Sequence, residues 1–176
     1  NAATLLLDKG AGINVASLDG STPLVIATVR GHVDLAIGLL ERGASPNADG
    51  TGYTALHWAS GTWDSPITFD YQLAGGEWSA LGGIPTREGK IRLIKALIAH
   101  GADVNARLTK APPRIDGSIF PHQLLLGATP FFVAAQAADQ VVVRLLQAVG
   151  ADTAMRADNN STPLIGASGG FMRVDY

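Results

Sequence analysis

A fixed spacing governs this chain. From Thr22 to Gly43 is 21 positions and from Thr129 to Gly150 is again 21, while Gly10 to Thr22 and Gly150 to Thr162 are each 12. The two intervals make a period of 33. Thr22-Pro23-Leu24-Val25-Ile26-Ala27 returns as Thr129-Pro130-Phe131-Phe132-Val133-Ala134 and, in part, as Thr54-Ala55-Leu56-His57-Trp58-Ala59. Leu39-Leu40-Glu41-Arg42-Gly43-Ala44 returns at Leu97 to Ala102 and at Leu145 to Asp152. Self-similarity at such a spacing implies one small supersecondary unit stacked on copies of itself, not a single central core.

Each motif has a local physical reason. A threonine hydroxyl can accept a hydrogen bond from an orphan N–H of a first helical turn, and Pro23, Pro130 and Pro163 sit where a missing N–H costs nothing. Two positions before each threonine stand Gly20, Gly52, Gly127 and Asn160, residue types that tolerate a left-handed turn. A first helix then presents Leu24 and Ala27. A second presents Val33, Leu35, Ala36, Leu39 and Leu40, matched later by Ile91, Leu93, Ile94, Leu97 and Ile98. Gly43, Gly101 and Gly150 follow the second helices as C-caps. Burial is worth about 1.5 to 3 kcal/mol per Leu, Ile or Val, too little for one helix pair to outweigh its own ordering entropy, so stacking must supply the rest.

These spaced motifs resemble the ankyrin repeat, with its TPLH-x-A, Gly-His and LL-x-x-GA signatures and 33-residue unit. The resemblance implies an all-α fold, a solenoid of helix-turn-helix repeats joined by β-hairpin-like loops. It covers nearly the whole chain outside two insertions: a partial repeat at 1–19, repeats at 20–51, 52–106 and 107–159, and a partial repeat at 160–176. Neither end shows the polar outer face of a capping repeat, which implies a piece of a longer array. Three departures weaken local helices: Ala55 in place of the motif's proline, Ala138 in place of the glycine of Gly-His, and Gly169-Gly170 in the last helix.

Two insertions interrupt the period. Thr54 to Gly101 spans 47 positions instead of 21, which places 26 extra residues at about 62–88. They include Trp63, Phe69, Tyr71 and Trp78 among glycines and Pro85, the composition of a structured loop rather than a solvated linker. Gly101 to Thr129 spans 28 instead of 12, which extends the next finger by 16 residues, about 108–126, with Pro112, Pro113, Phe120 and Pro121. Long ordered loops either bind partners or cover apolar surface on the scaffold. The insertion-rich pattern is similar to that of bacterial ankyrin proteins, some of them exported.

Charge and composition exclude several functions. With 13 basic and 15 acidic residues mixed along the chain, the net charge is −2, which offers no field for a nucleic-acid backbone or an anionic lipid surface. No apolar run approaches the roughly 20 residues of a membrane-spanning helix, so membrane insertion is not expected. The chain has no cysteine, which excludes disulfides and thiolate metal sites. It opens at Asn1 with no signal-like segment, so a processed or truncated start is expected and both cytoplasmic and exported locations stay open.

Catalytic and cofactor motifs fare poorly. Gly166-Ala167-Ser168-Gly169-Gly170 fits G-x-S-x-G, yet the nucleophile elbow needs a strand before the serine, and here a helix begun by Thr162-Pro163 precedes it. His32, His57, His100 and His122 show no zinc-binding spacing. The family pattern gives His32 to the Gly-His turn and His57 to a loop-tying role, and His100 suits the negative end of a helix. The paired glycines at 75–76 and 82–83 match no phosphate loop. Asn159-Asn160-Ser161-Thr162 contains N-x-S/T sequons, but Asn160 fills a turn position held elsewhere by glycine. No cofactor, metal or catalytic residue is expected.

The expected function is therefore a non-catalytic scaffold that binds a protein. The resemblance implies binding through finger tips and the exposed side of the first helices, which selects Leu18, Asp19, Ile26, Val29, Arg30, Tyr53, Trp58, Val133 and Gln136. Tyr53 and Trp58 are the expected anchors, because aromatics dominate interface hot spots. Trp63, Tyr71, Trp78 and Phe120 join them from the insertions. The alternatives are a regulatory or targeting segment of a larger enzyme, and head-to-tail self-association through uncapped apolar ends.

Overall fold

The computed structural model describes residues 2–61, 86–110 and 126–168. Among these residues are eight helices and no strand: α1 (Ala2–Asp8), α2 (Pro23–Val29), α3 (Val33–Glu41), α4 (Ala55–Ser60), α5 (Arg87–Ala99), α6 (Pro130–Gln136), α7 (Gln140–Ala148) and α8 (Pro163–Ala167). They form two rows. The short first helices α2, α4, α6 and α8 pack in sequence against one another, and α2, α4 and α6 each lean on the second helix that follows, α3, α5 and α7. This is the all-α repeat solenoid that the ankyrin resemblance implies.

The threonines start the first helices as their chemistry requires. Thr22, Thr54, Thr129 and Thr162 are extended N-cap residues, each accepting a bond from the N–H three residues on: Val25 (3.4 Å), His57 (3.4 Å), Phe132 (3.2 Å) and Ile165 (3.3 Å). Such a cap is worth about 1 kcal/mol. The second helices end in paired reverse bonds, Gly43 N–H to Leu40 and Ala44 N–H to Leu39, repeated at Gly101 and Ala102 and at Gly150 and Ala151. These satisfy the last carbonyls of each helix.

Among the described residues two that are not glycine adopt left-handed backbone, Ala138 (φ 52°) and Asn160 (φ 66°). Asn160 occupies the turn position of Gly20, Gly52 and Gly127, as expected of a residue type that tolerates that conformation. Ala138 stands where Gly31 (φ 72°) stands in the first full repeat, so the departure from Gly-His is absorbed as backbone strain.

Burial is greatest in the middle of the array. Every residue of α4 is buried, as are Pro130 to Ala135 of α6, whereas α1 buries none and α8 only Pro163 and Gly166. The main core lies between the rows and joins Leu24, Leu40, Leu56, Leu93, Leu97, Phe131 and Leu146 across the repeats. α5 is 13 residues long against nine for α3, and it takes Arg87 and Glu88, the last residues of the interval assigned to the first insertion, into its opening turn behind the cap Thr86. The lengthened third finger is pinned at its base by Leu108 N–H to Ala128 (2.9 Å) and Gly127 N–H to Leu108 (2.7 Å), hairpin bonds without a strand.

Asparagines at one repeat position sew adjacent loops together. Asn14 reaches Gly43 and receives Ser45 N–H (2.8 Å), Asn47 donates to Gly101 (2.9 Å) and receives Asp103 N–H (2.7 Å), and Asn105 repeats this with Gly150 and Asp152.

Candidate partner-binding surface

The first finger and α2 present the open part of the surface picked out by the repeat pattern. Leu18 is fully exposed, Ile26 is 46% exposed on α2, and Asp19 and Arg30 are exposed. Val29 is half-buried against a small apolar cluster. Asp19 is held in place. Its carboxylate accepts bonds from Ser17 Oγ, Ser21 N–H (3.1 Å) and Ser21 Oγ (2.9 Å), and these bonds, that from Ser17 foremost, keep it below the ordinary carboxylate range. The finger offers a fixed negative charge beside an apolar tip.

Tyr53 and Trp58 do not stand open as anchors. Each is only 4% exposed, their rings meet at a centroid distance of 5.9 Å, and both belong to a second cluster with Val25, Leu108, Phe132 and Val133. The reason is packing between neighbours: the base of the lengthened third finger, at Leu108, packs with residues of α4, and the two rings fill that space. Val133 is buried in the same cluster, and Gln136 is half-buried with its Cβ turned toward Gly166 of α8. Trp63, Tyr71, Trp78 and Phe120, together with Phe69 and His122, lie outside the described residues. Val15, not among the selected positions, is 66% exposed on the same finger as Leu18. Its place between the core-packed Ile13 and the finger tip was the available signal.

His57 ties three parts of the solenoid. Its Nδ1 accepts from Thr54 N–H (3.2 Å), completing a capping box, and its Nε2–H is shared between the carbonyls of Ala106 (3.0 Å) and Ala128 (3.2 Å). Burial pushes its pKa down to about 4, so the ring is neutral at physiological pH. His32 is the exposed N-cap residue of α3, and His100 caps α5 with Nδ1–H to Ala96 (2.8 Å). Ser168 follows α8 and its hydroxyl donates to Leu164 (2.8 Å), the position expected for a residue closing a helix.

A cleft of about 720 Å³ opens where the N-terminal ends of α1, α3 and α5 meet, bordered by His32, Asp34, Glu88 and Arg92. Arg92 is engaged by Asp34 at 3.0 Å, and all four side chains are exposed, so no buried polar group converges on it. Among the described residues no group of three His, Asp or Glu side chains could hold a metal, and no helix is long and apolar enough to cross a membrane.

Comparison with known proteins agrees with the architecture. A family model described as Ankyrin repeats (3 copies) matches residues 1–65, and one described as Ankyrin repeat matches residues 51–107. The chain is 30% identical over 160 residues to a Danio rerio protein named "Putative palmitoyltransferase ZDHHC13", a match covering 90% of this chain and 24% of that protein. It thus spans about a quarter of that relative's length. With the period, the capping pattern and the two-row stacking already in place, these matches mean that the chain belongs to the ankyrin-repeat family.

Proposed function

We propose that this chain is a protein-interaction module whose contact surface is centred on the first finger and the exposed side of α2, at Leu18, Asp19, Ile26 and Arg30. The observation that carries the reading is the contrast between repeats. The same face is open at Ile26 and closed at Trp58 and Val133, which are packed into the second cluster. Leu18 and Ile26 supply apolar area, and the fixed Asp19 carboxylate and Arg30 supply charge for selecting a partner. The aromatic insertion residues Trp63, Tyr71, Trp78 and Phe120, and Gln136, extend the proposed surface, with repeat boundaries at 20, 52, 107 and 160. A photo-crosslinking residue tests this when placed at Ile26 or, as a control, at the exposed Val149. The reading expects a partner captured through position 26 and not through 149; capture through 149 alone would refute it.

A second reading is supported by the relative: the module is a regulatory or targeting segment of a larger enzyme. The named relative is about four times the length of the matched region, and its printed name is that of a palmitoyltransferase. Immunoblotting of the native polypeptide tests this, since a band near 18.2 kDa would leave no room for a catalytic domain. Head-to-tail self-association draws on the exposed Leu5 and Leu6 of α1 and Leu164 of α8. It is tested by sedimentation across concentration, where a constant monomer mass would dismiss it.

A further inference from the structure

Two neighbouring fingers each carry an aspartate followed by glycine, Asp19-Gly20 and Asp49-Gly50, and a third such pair, Asp116-Gly117, lies outside the described residues. Glycine gives the following amide little steric protection, so its nitrogen can attack the aspartyl side-chain carbonyl when both groups are free to approach. The two described pairs differ in that freedom. At the first, the carboxylate is held by Ser17 Oγ and by Ser21 N–H and Oγ, and Gly20 N–H donates to Ser17 O (2.9 Å). At the second, Asp49 is exposed, its carboxylate makes no hydrogen bond among the described residues, and Gly50 N–H makes none either.

We propose that Asp49-Gly50 is a site of spontaneous isoaspartate formation, a covalent modification to which Asp19-Gly20, built from the same two residues, is resistant. The Gly50 nitrogen forms a bond to Asp49 Cγ and loses its proton, and the carboxyl oxygen leaves as water, closing a five-membered succinimide. Water then adds to the ring carbonyl on the Cα side and opens it, so the main chain runs through the Asp49 side chain. The composition is unchanged. The main chain is one methylene longer and the former main-chain carbonyl has become a carboxylate.

The position makes the change consequential. The Asp49 carbonyl lost from the main chain is the acceptor for Gly52 N–H (2.6 Å), the bond that closes the turn. Gly52 in turn accepts Thr109 N–H (2.8 Å) from the base of the next finger. On the other side Gly50 lies against Gly20 so closely that a Cβ on Gly50 would sit 3.0 Å from Gly20 Cα. A lengthened backbone there must push against Gly20 and gives up the Asp49 carbonyl that closes the turn, so conversion is expected to loosen the junctions among three successive fingers on the face that includes Leu18.

The test incubates the folded chain at neutral pH and 37 °C, with and without urea, and quantifies isoaspartate by electron-transfer fragmentation of tryptic peptides 10–30, 43–87 and 115–144, which separate the three pairs. In the folded protein Asp49 is expected to convert several-fold faster than Asp19, and in urea the two rates are expected to converge. Equal folded rates, no conversion at Asp49 when folded, or a difference that persists in urea would each overturn the proposal. Replacing Ser17 and Ser21 by alanine is expected to bring the folded Asp19 rate up toward that of Asp49, and an unmoved rate counts against the hydrogen-bond explanation. Aged wild-type protein is expected to melt below fresh protein while aged Asp49→Glu, which cannot readily close the five-membered ring, does not. An equal loss in both would remove the structural consequence.

Discussion

Lys90 Nζ lies 3.1 Å from Asp139 Oδ2, with both side chains almost wholly covered, at 11% and 12% exposure. The pair joins α5 to the N-cap of α7, where Asp139 also accepts Val142 N–H (3.3 Å), and the same ammonium donates to Gly61 O (3.1 Å). One cation on α5 thus fastens the end of α4 to the start of α7. Burial pushes the Asp139 carboxyl up, but the bonds from Lys90 and Val142 and the charges of Lys90 and Arg87 outweigh it and leave it below the ordinary carboxylate range. That stabilisation is present above the unfolded carboxylate pKa and fades as pH falls through the lower folded value. Lys90→Met leaves a covered carboxylate short of a partner and is expected to cost about 2 kcal/mol in urea unfolding at pH 7. A loss under a few tenths would show the pair to be energetically idle.

The buried His57 gives a pH dependence of the other origin. Its folded pKa of about 4 lies below the ordinary 6.5. As pH drops through 6.5 the unfolded chain takes up a proton that the folded chain refuses, so stability is full above 6.5 and falls until about pH 4. At about 1.4 kcal/mol per unit, the loss reaches roughly 3 kcal/mol. His57→Gln retains an amide that can serve the capping box without titrating. Stability curves of the two proteins from pH 7 to 4 should therefore converge as the pH falls, and parallel curves would contradict the assignment.

Ala138 is the one alanine held at positive φ among the described residues. A left-handed conformation costs an L-residue about 1 kcal/mol, and glycine avoids it. Ala138→Gly should raise the melting temperature by about 2 to 4 °C in a domain of this size, and a fall would mean that unfolded-state entropy outweighs the relief.

Gly20 and Gly43 separate backbone strain from close approach. Both are left-handed (φ 85° and 92°), but a Cβ on Gly20 would meet the Gly50 carbonyl carbon at 2.3 Å, while one on Gly43 would meet nothing within 4 Å. Gly43→Ala is expected to cost about 1 kcal/mol from conformation alone. Gly20→Ala is expected to cost at least about 2 kcal/mol, because backbone cannot yield as a flexible side chain can. Thermal denaturation of the two variants compares the terms directly.

The parts legible in the sequence were those fixed within a few residues. Thr22 with Val25, Thr129 with Phe132, and Gly43 with Leu40 are contacts inside one turn, and a motif states them outright. The repeat pattern marks Tyr53 and Trp58 as open because it describes one unit at a time. Their burial depends on Leu108 and Phe132, which lie far along the chain beyond the first insertion. His57 fell between these cases: its type announced a loop tie, but its two acceptors at Ala106 and Ala128 could be identified only once the finger base was folded. Asn160 was legible because its side chain and its conformation belong together, and Ala138 showed only as a departure whose cost the backbone bears.

The asparagine stitches at 14, 47 and 105 have no fourth member, since Ala154 holds the corresponding place and its methyl group can neither give nor take a hydrogen bond. The last described finger is instead joined to its neighbour by a different means, the Asp158 N–H bond to Leu126 O (2.8 Å) and the Arg107–Asp158 ion pair (2.7 Å), so salt should weaken that junction while leaving the amide stitches untouched.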